Sequence, residues 1–164
     1  MTTPQILDPA CGSKMFYFDK ETPLVHFCDI RDEEHPLCDG RLLKVHPDQV
    51  ADFRDLPHED ESFHLIIFDP PHLERAGPKS WQAAKYGKLN KETWREDLAQ
   101  GFSECWRVLA GGGTMIFKWN ETQIKVNEIL ACFSQRPICG HRTTQNLKTH
   151  WIVFYKPVVG GCDG

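Results

Sequence analysis

The sequence lacks an apolar segment long enough to cross a membrane, and residues 1–5 lack the basic and apolar parts of a signal peptide. It also lacks a C-x-x-C pair. Its 7 cysteines are scattered and odd in number, which favours a reduced, cytoplasmic protein over a disulfide-bonded one. The formal net charge is −4, so any contact with nucleic acid needs a local basic patch. We expect no membrane partner, and a single domain spanning residues 1–164.

One short apolar run organises the chain. Residues 65–68 (Leu-Ile-Ile-Phe) are too few for a helix and are mostly β-branched or aromatic, so they predict a strand buried on both faces. The two prolines that follow Asp69 cannot donate to a sheet, and the strand must stop there. Ligands bind at that edge of open α/β sheets. We therefore expect Asp69, the Pro70 carbonyl and His72 to line a ligand site.

Other apolar runs predict about six further strands, near residues 6–8, 24–28, 49–53, 114–117, 137–140 and 151–155. The last two are expected to pair antiparallel. Because helical patterns separate most of the others, the sequence predicts an α/β fold with a mostly parallel sheet.

Several local signals set the expected helices and turns. Residues 14–19 are expected to form one or two helical turns. Thr93 and Glu96 predict a capping box at the start of a helix that residues 111–113 end, and Asn120 is expected to cap the next helix. Asp39-Gly40 predicts a two-residue hairpin between residues 37–38 and 41–43, with half a helix as the alternative.

Acids follow the ends of three early strands. Asp8 and Asp29 lie 21 residues apart, a spacing that resembles a nucleotide-binding turn followed by a ribose-binding acid. Gly12, in the turn after Asp8, can adopt positive φ and bring backbone N–H groups close to a ligand. Asp52 lies near the end of the third predicted strand and precedes Phe53.

Residues 73–91 have no clean period, and such a long irregular segment is typically functional. The segment mixes basic and aromatic side chains, namely Arg75, Lys79, Trp81, Lys85, Tyr86, Lys88 and Lys91. We expect it to be a loop insert that faces the substrate. The alternative is an ordinary solvated lid with Trp81 in the core. Residues 158–164 are expected to form a loose tail.

The order of these motifs over residues 5–157 resembles the class I S-adenosylmethionine-dependent methyltransferases. It is most similar to the amino-methyltransferases with an Asp-Pro-Pro-aromatic motif, which include adenine-N6 DNA enzymes. The resemblance implies a single Rossmann-like methyltransferase domain. Its sheet would be mostly parallel and seven-stranded, with a C-terminal antiparallel hairpin.

The resemblance also implies roles for individual residues. The cofactor would be S-adenosyl-L-methionine, released as S-adenosyl-L-homocysteine, and would be bound by Asp8, Cys11, Gly12, Ser13, Lys14, Asp29, Asp52 and Phe53. The catalytic set would be Asp69, Pro70 and His72. Apart from the resemblance, the basic and aromatic character of residues 73–91 and the position of Lys118 at a strand end lead us to expect that the substrate is bound by Lys79, Trp81, Lys85, Tyr86 and Lys118. In the alternative interpretation Lys118 is a solvated strand end. No metal is expected.

Three features depart from the family pattern. Lys14 stands where a second glycine is usual, and it either neutralises the cofactor carboxylate or changes the loop shape. His72 replaces a larger aromatic ring and can stack or titrate near neutral pH. No segment is long enough for a separate target-recognition domain, so residues 73–91 or a partner protein must recognise the target.

The expected activity is methyl transfer to an exocyclic amino group of a nucleic-acid base, adenine N6 in DNA being favoured. One alternative is transfer to an amide or amine of a protein or small molecule. The other is a non-catalytic module that binds the cofactor or a partner.

Overall fold

The computed structural model describes residues 4–77, 87–142, 146 and 148–160. Within these residues the strands are β1 (Ile6–Asp8), β2 (Val25–Asp29), β3 (Glu33–Pro36), β4 (Leu42–Val45), β5 (Gln49–Val50), β6 (Phe63–Phe68), β7 (Leu109–Asn120), β8 (Cys139–Arg142) and β9 (Thr149–Tyr155). The helices of this part of the chain are α1 (Trp94–Val108) and α2 (Val126–Cys132). None of them is both long and apolar enough to cross a bilayer.

Seven strands form one sheet in the order β5-β2-β1-β6-β7-β9-β8. The pairs from β5 through β7 are parallel, whereas β9 runs antiparallel to both β7 and β8. The predicted α/β fold, with a mostly parallel sheet and a C-terminal antiparallel hairpin, is confirmed. The chain leaves β1 toward β2 on one side and returns through β6 on the other. The carboxyl ends of β1 and β6 therefore form a switch point, where open sheets bind ligands.

The main core lies between the sheet and the two helices. Leu7, Ile66 and Phe68 point from alternate strand positions to this face and are fully buried. They pack in one cluster with Leu98 and Phe102 of α1. The long apolar stripe of α1 thus explains why residues 94–108 form a helix that docks on the sheet.

The other sheet face has a smaller apolar cluster. Cys11, Val25 and Phe27 are buried there, with Ile6 and Tyr17 partly buried against them. Among the described residues no helix packs on this face, since the chain between β1 and β2 forms only irregular turns. The predicted helical turns over residues 14–19 are therefore wrong. Tyr17 and Lys14 are instead held by tertiary contacts, which override the local preference.

The predicted hairpin around Asp39-Gly40 is correct in kind but differs in size. β3 and β4 pair antiparallel up to Pro36 and Leu42, so residues 37–41 form the loop rather than two residues. Gly40 has a φ of 83°, a conformation that glycine adopts without steric cost.

The helix ends also differ from the predictions. Thr93 precedes α1 as expected, but its hydroxyl donates to Asp97 at 2.7 Å and no capping box with Glu96 forms. The chain passes directly from α1 into β7, so residues 111–113 lie in the strand. Asn120 does not cap α2, whose N-cap position is held by Lys125 without a side-chain hydrogen bond. The side-chain amide oxygen of Asn120 accepts from the Thr122 backbone N–H at 3.0 Å and so stabilises a turn.

Candidate active site at the carboxyl edge of the sheet

Asp8 organises the turn that follows β1. Its side chain is fully buried; Oδ1 accepts from the Ala10 N–H at 3.1 Å and Oδ2 from the Tyr17 hydroxyl at 2.8 Å. Burial raises the pKa of Asp8 to about 8, although both hydrogen bonds act in the opposite direction. Cys11, also buried, donates its backbone N–H to the Cys28 carbonyl at 2.9 Å. The Asp8 side chain therefore stabilises the turn, and the Cys11 hydrogen bond connects the turn to β2.

Two residues of this turn have left-handed backbone conformations. Gly12 has a φ of 50° and Lys14 a φ of 54°. Lys14 therefore adopts a backbone conformation that favours glycine, the residue usual at this position in the family that the sequence resembles. The Lys14 ammonium donates to the Lys20 carbonyl at 3.1 Å and lies 4.1 Å from the centre of the Phe27 ring. Ser13 is buried, and its hydroxyl has no hydrogen-bond partner among the described residues.

Asp29 connects this turn to the end of β2. Its carboxylate accepts from the Gly12 N–H at 2.8 Å through Oδ2, and from the Arg31 backbone N–H at 3.0 Å through Oδ1. Arg31 also donates its Nε to Oδ1 at 3.1 Å. Asp29 and Phe53 share a cavity of about 170 Å³. The cavity is lined by Pro9, Ala10, Asp29, Ile30, Arg31, Phe53, Pro71, Gly87 and Lys88.

The structure separates the predicted pair Asp52 and Phe53. The Phe53 ring lines the cavity and packs against Phe68, with 5.3 Å between ring centres. The Asp52 carboxylate instead pairs with Arg54, at 2.6 Å between Oδ2 and Nη2, and that hydrogen bond lowers its pKa. Arg54 also reaches Asp97 of α1 at 3.0 Å. Asp52 thus anchors the chain after β5 to the helix, outside the cavity lining.

Asp69 follows β6 and is 9% exposed. The Lys118 ammonium, from neighbouring β7, donates to its Oδ2 at 2.9 Å. Burial raises the pKa of Asp69, while the charge and hydrogen bond of Lys118 lower it. Asp69 shares a small cavity with Ala10, Cys11, Gly12, Ser13, Met15 and Phe16. The structure therefore brings the turn after β1 and the acid after β6 to one place, as the strand ends predicted.

His72 is half-buried and lies edge-on to Trp119, with 6.2 Å between ring centres. Burial, followed by the charge of Lys118, lowers its pKa to about 4. A pKa this low leaves the imidazole neutral at neutral pH, which favours stacking over titration, the two possibilities that the sequence left open for His72.

Two aromatic residues that sequence reasoning did not assign to the site lie beside Lys118. Its ammonium is 5.0 Å from the centre of the Phe16 ring and 5.6 Å from that of Trp151. The two rings are 5.5 Å apart and perpendicular. Trp151 pairs with Lys118 in the β7–β9 register, so only the strand register could have revealed it.

Four predicted substrate-binding residues, Lys79, Trp81, Lys85 and Tyr86, lie outside the described residues. The described residues on either side of that segment lie close together, and Gly87 and Lys88 line the cavity that contains Asp29. The Leu89 N–H donates to the Leu73 carbonyl at 2.8 Å. Gly87 has a φ of 78°, and a Cβ at this position would lie 3.1 Å from Pro71.

Comparisons with known proteins identify the fold. No family model matches the chain, and the curated proteins contain no match. A SAM-dependent methyltransferase from Methanosarcina mazei matches with 12% identity and a TM-score of 0.54, covering 96% of this chain and 95% of that one. A Pyrococcus horikoshii protein matches with 18% identity and a TM-score of 0.53, covering 96% and 83%. A SAM-dependent methyltransferase from Leishmania major matches with 13% identity and a TM-score of 0.51, covering 93% and 65%.

At these identities the likeness shows the fold, which is the Rossmann-like fold of methyltransferases. This confirms the predicted fold class. The residue roles stay predictions.

Proposed function

We propose that the chain is an S-adenosylmethionine-dependent N-methyltransferase acting on an exocyclic amino group of a nucleic-acid base, with adenine N6 in DNA as the target. One observation carries the proposal. The Asp69 carboxylate and the Pro70 carbonyl follow β6 at the switch point, and Asp69 shares a cavity with the turn after β1. Two acceptors fixed by consecutive prolines suit the two hydrogens of an amino group.

The residues present fit the cofactor. The Ser13 hydroxyl shares a cavity with Asp69, is buried and has no hydrogen-bond partner in the described part of the chain. A buried polar group of this kind is costly unless a ligand satisfies it. Ser13 and the backbone around Gly12 would hold the methionine end, Asp29 the ribose, and Phe53 with Ile30 the adenine. Asp8 supports this turn from inside. When bound, the cofactor supplies an electrophilic methyl group on sulfur.

Asp69 and Pro70 would act by positioning and electrostatics. The lone pair of a base's amino nitrogen is delocalised into the ring, and acceptors on both hydrogens favour a pyramidal, nucleophilic nitrogen. Asp69 Oδ2 accepts from the Lys118 ammonium at 2.9 Å, and Oδ1 would accept from the amino group of the substrate. Asp69 would also receive the proton that the methylated nitrogen loses. Fixed geometry of this kind supplies up to about 7–11 kcal/mol in the best cases.

The nucleic-acid half of the proposal is supported by the surroundings of Asp69. A base within a duplex must be flipped out at a cost of a few kcal/mol. Stacking on a flat side chain recovers roughly 1–3 kcal/mol per base, and His72, Phe16 and Trp151 lie around the Asp69–Lys118 pair. The segment 73–91 is rich in basic and aromatic residues, and its described residues Gly87 and Lys88 line the cavity that contains Asp29. A partner protein would add recognition if this segment is insufficient. The net charge of −4 favours the rival, transfer to a protein or small-molecule amine.

Tritiated cofactor incubated with separate DNA, RNA and protein pools tests the activity. We expect label in DNA. Label confined to protein would overturn the nucleic-acid half, and no label in any pool would favour the non-catalytic module.

Replacement of Asp69 tests the division of the site. Asp69→Ala should lower transfer by at least about 100-fold, the usual cost of losing one electrostatic contact in a transition state. Cofactor affinity, measured by calorimetry, should change little. Asp55→Ala, at an exposed aspartate outside both cavities, is the matched control. If Asp69→Ala abolished cofactor binding, the assignment of Asp69 to the substrate side would be wrong.

A further inference from the structure

We propose that His26, Cys28 and His58 form a binding site for one transition-metal ion, zinc being the ion that best suits these ligands. Each residue offers a ligand atom, and the three atoms all lie within 4.8 Å of one another. His26 and Cys28 are two residues apart on β2 and therefore point to the same sheet face. Cys28 is fully buried in the main core. The site is thus separate from the cavities that contain Asp29 and Asp69.

His58 provides the second observation. Both of its ring nitrogens are buried and have no hydrogen-bond partner among the described residues. The ring lies between His26 and Phe63, at 5.3 and 5.1 Å between centres. A neutral imidazole that serves only to fill space would leave both a donor and an acceptor unsatisfied, which proteins rarely tolerate. A metal ion bound to one ring nitrogen would satisfy that nitrogen and so remove much of the free-energy cost of burying it without a partner.

The neighbours of the three residues hold them in place. Arg107 of α1 donates to the His58 carbonyl at 2.8 Å and to the Leu56 carbonyl at 3.0 Å, which fixes the loop that presents His58. His26 Nε2 and the Gln49 amide oxygen are 3.0 Å apart. Hydrogen bonds of this kind orient metal-ligating histidines in known sites. The strand, the loop and the helix therefore converge on one preformed cluster.

The ligand set selects the metal. One thiolate with two imidazoles suits zinc, whereas magnesium and calcium prefer oxygen ligands. Tetrahedral zinc, with bonds of about 2.0–2.3 Å, places its ligands roughly 3.3–3.6 Å apart. Side-chain rotation that closes the cluster by about 1 Å meets that geometry. The ion would tie β2 to the loop leading into β6, the strand that ends at Asp69.

Cobalt substitution tests the site without using methyl transfer. The full chain, purified with zinc, should carry one zinc ion per molecule by native mass spectrometry. Cobalt(II) should replace it and give thiolate-to-metal charge-transfer absorption. Cys28→Ala should abolish this absorption, and His58→Gln should weaken metal affinity by about 10–100-fold or more. The matched controls Cys139→Ala and His46→Gln, at an exposed cysteine and an exposed histidine, should retain both properties.

The proposal fails if the wild-type chain shows no charge-transfer absorption with cobalt, a result that needs no variant to fold. It also fails if the absorption persists in Cys28→Ala or disappears in Cys139→Ala. In each of these cases His26 and His58 are core histidines.

Discussion

Two opposing effects act on the Asp69 carboxyl group. Burial raises its pKa, and the Lys118 ammonium at 2.9 Å lowers it. Only the ionised carboxylate accepts hydrogen bonds at both oxygens, so the proposed chemistry requires the deprotonated form. The net effect is a raised pKa. Activity should therefore rise with pH through the pKa of Asp69, and Lys118 keeps that pKa lower than burial alone would set it.

Removal of Lys118 tests this. In Lys118→Met the pKa of Asp69 should increase, and the acidic limb of the pH–rate profile should move to higher pH by roughly 1–3 units, the usual effect of an adjacent opposite charge. The measurement is the rate of methyl transfer between pH 4 and 9. Lys44→Met, at an exposed lysine of β4, should leave the limb in place. An unchanged limb in Lys118→Met would show that Asp69 is not the group that titrates.

At the scale of elements, α1 shapes the cavity that contains Asp29 and Phe53 through a missing side chain. A Cβ at Gly101 would lie 2.4 Å from Cδ2 of Phe53, and the Phe53 ring lines the cavity. Glycine disfavours a helix by about 1 kcal/mol relative to alanine. Its presence inside α1 is explained by the space that the ring requires.

Gly101→Ala should therefore displace Phe53. We expect a loss of roughly 1–3 kcal/mol in the free energy of unfolding from overpacking, reduced by up to about 1 kcal/mol of helix propensity. Affinity for S-adenosyl-L-homocysteine should also fall. Urea unfolding and calorimetry measure the two effects. Ser103→Ala, at an exposed position of the same helix, should change neither, and unaltered affinity in Gly101→Ala would remove Phe53 from the adenine site.

At the scale of the whole molecule, charge constrains how nucleic acid could bind. The net charge is −4, and several described basic side chains are already paired, such as Arg54 with Asp52 and Arg107 with Glu104. Affinity for a polyanion would therefore depend on a local cluster. Residues 73–91 contain five basic residues in the sequence, namely Arg75, Lys79, Lys85, Lys88 and Lys91, and are our candidate for that cluster.

Charge reversal in this segment measures that dependence. Lys79→Glu, Lys85→Glu and Lys88→Glu together should reduce the slope of log affinity against log salt for duplex DNA by about 2.7, since each phosphate contact contributes about 0.9. The control carries Lys44→Glu, Lys125→Glu and Arg136→Glu, the same change in charge on other surfaces. An equal loss of slope in both variants would indicate a general charge effect and would exclude this segment as the interface.

The sequence by itself determined the framework. Residues 65–68 form a buried strand because they are apolar and mostly β-branched or aromatic. The two prolines after Asp69 end that strand because proline has no backbone N–H to donate to the sheet. The alternation of apolar runs sufficed for the sheet and its C-terminal hairpin. These properties depend on residues that are close together in the sequence, so they can be predicted without the tertiary structure.

The tertiary structure decided what no local pattern encodes. Lys118 pairs with Asp69, and Trp151 joins them, because β7 lies between β6 and β9 in the sheet. Asp52 turns to Arg54, whose other partner lies on α1. Residues 14–19 form irregular turns rather than a helix because Asp8 and Phe27 hold them from distant points in the chain. Side-chain partners follow from strand order and register, which are set only when the whole chain packs.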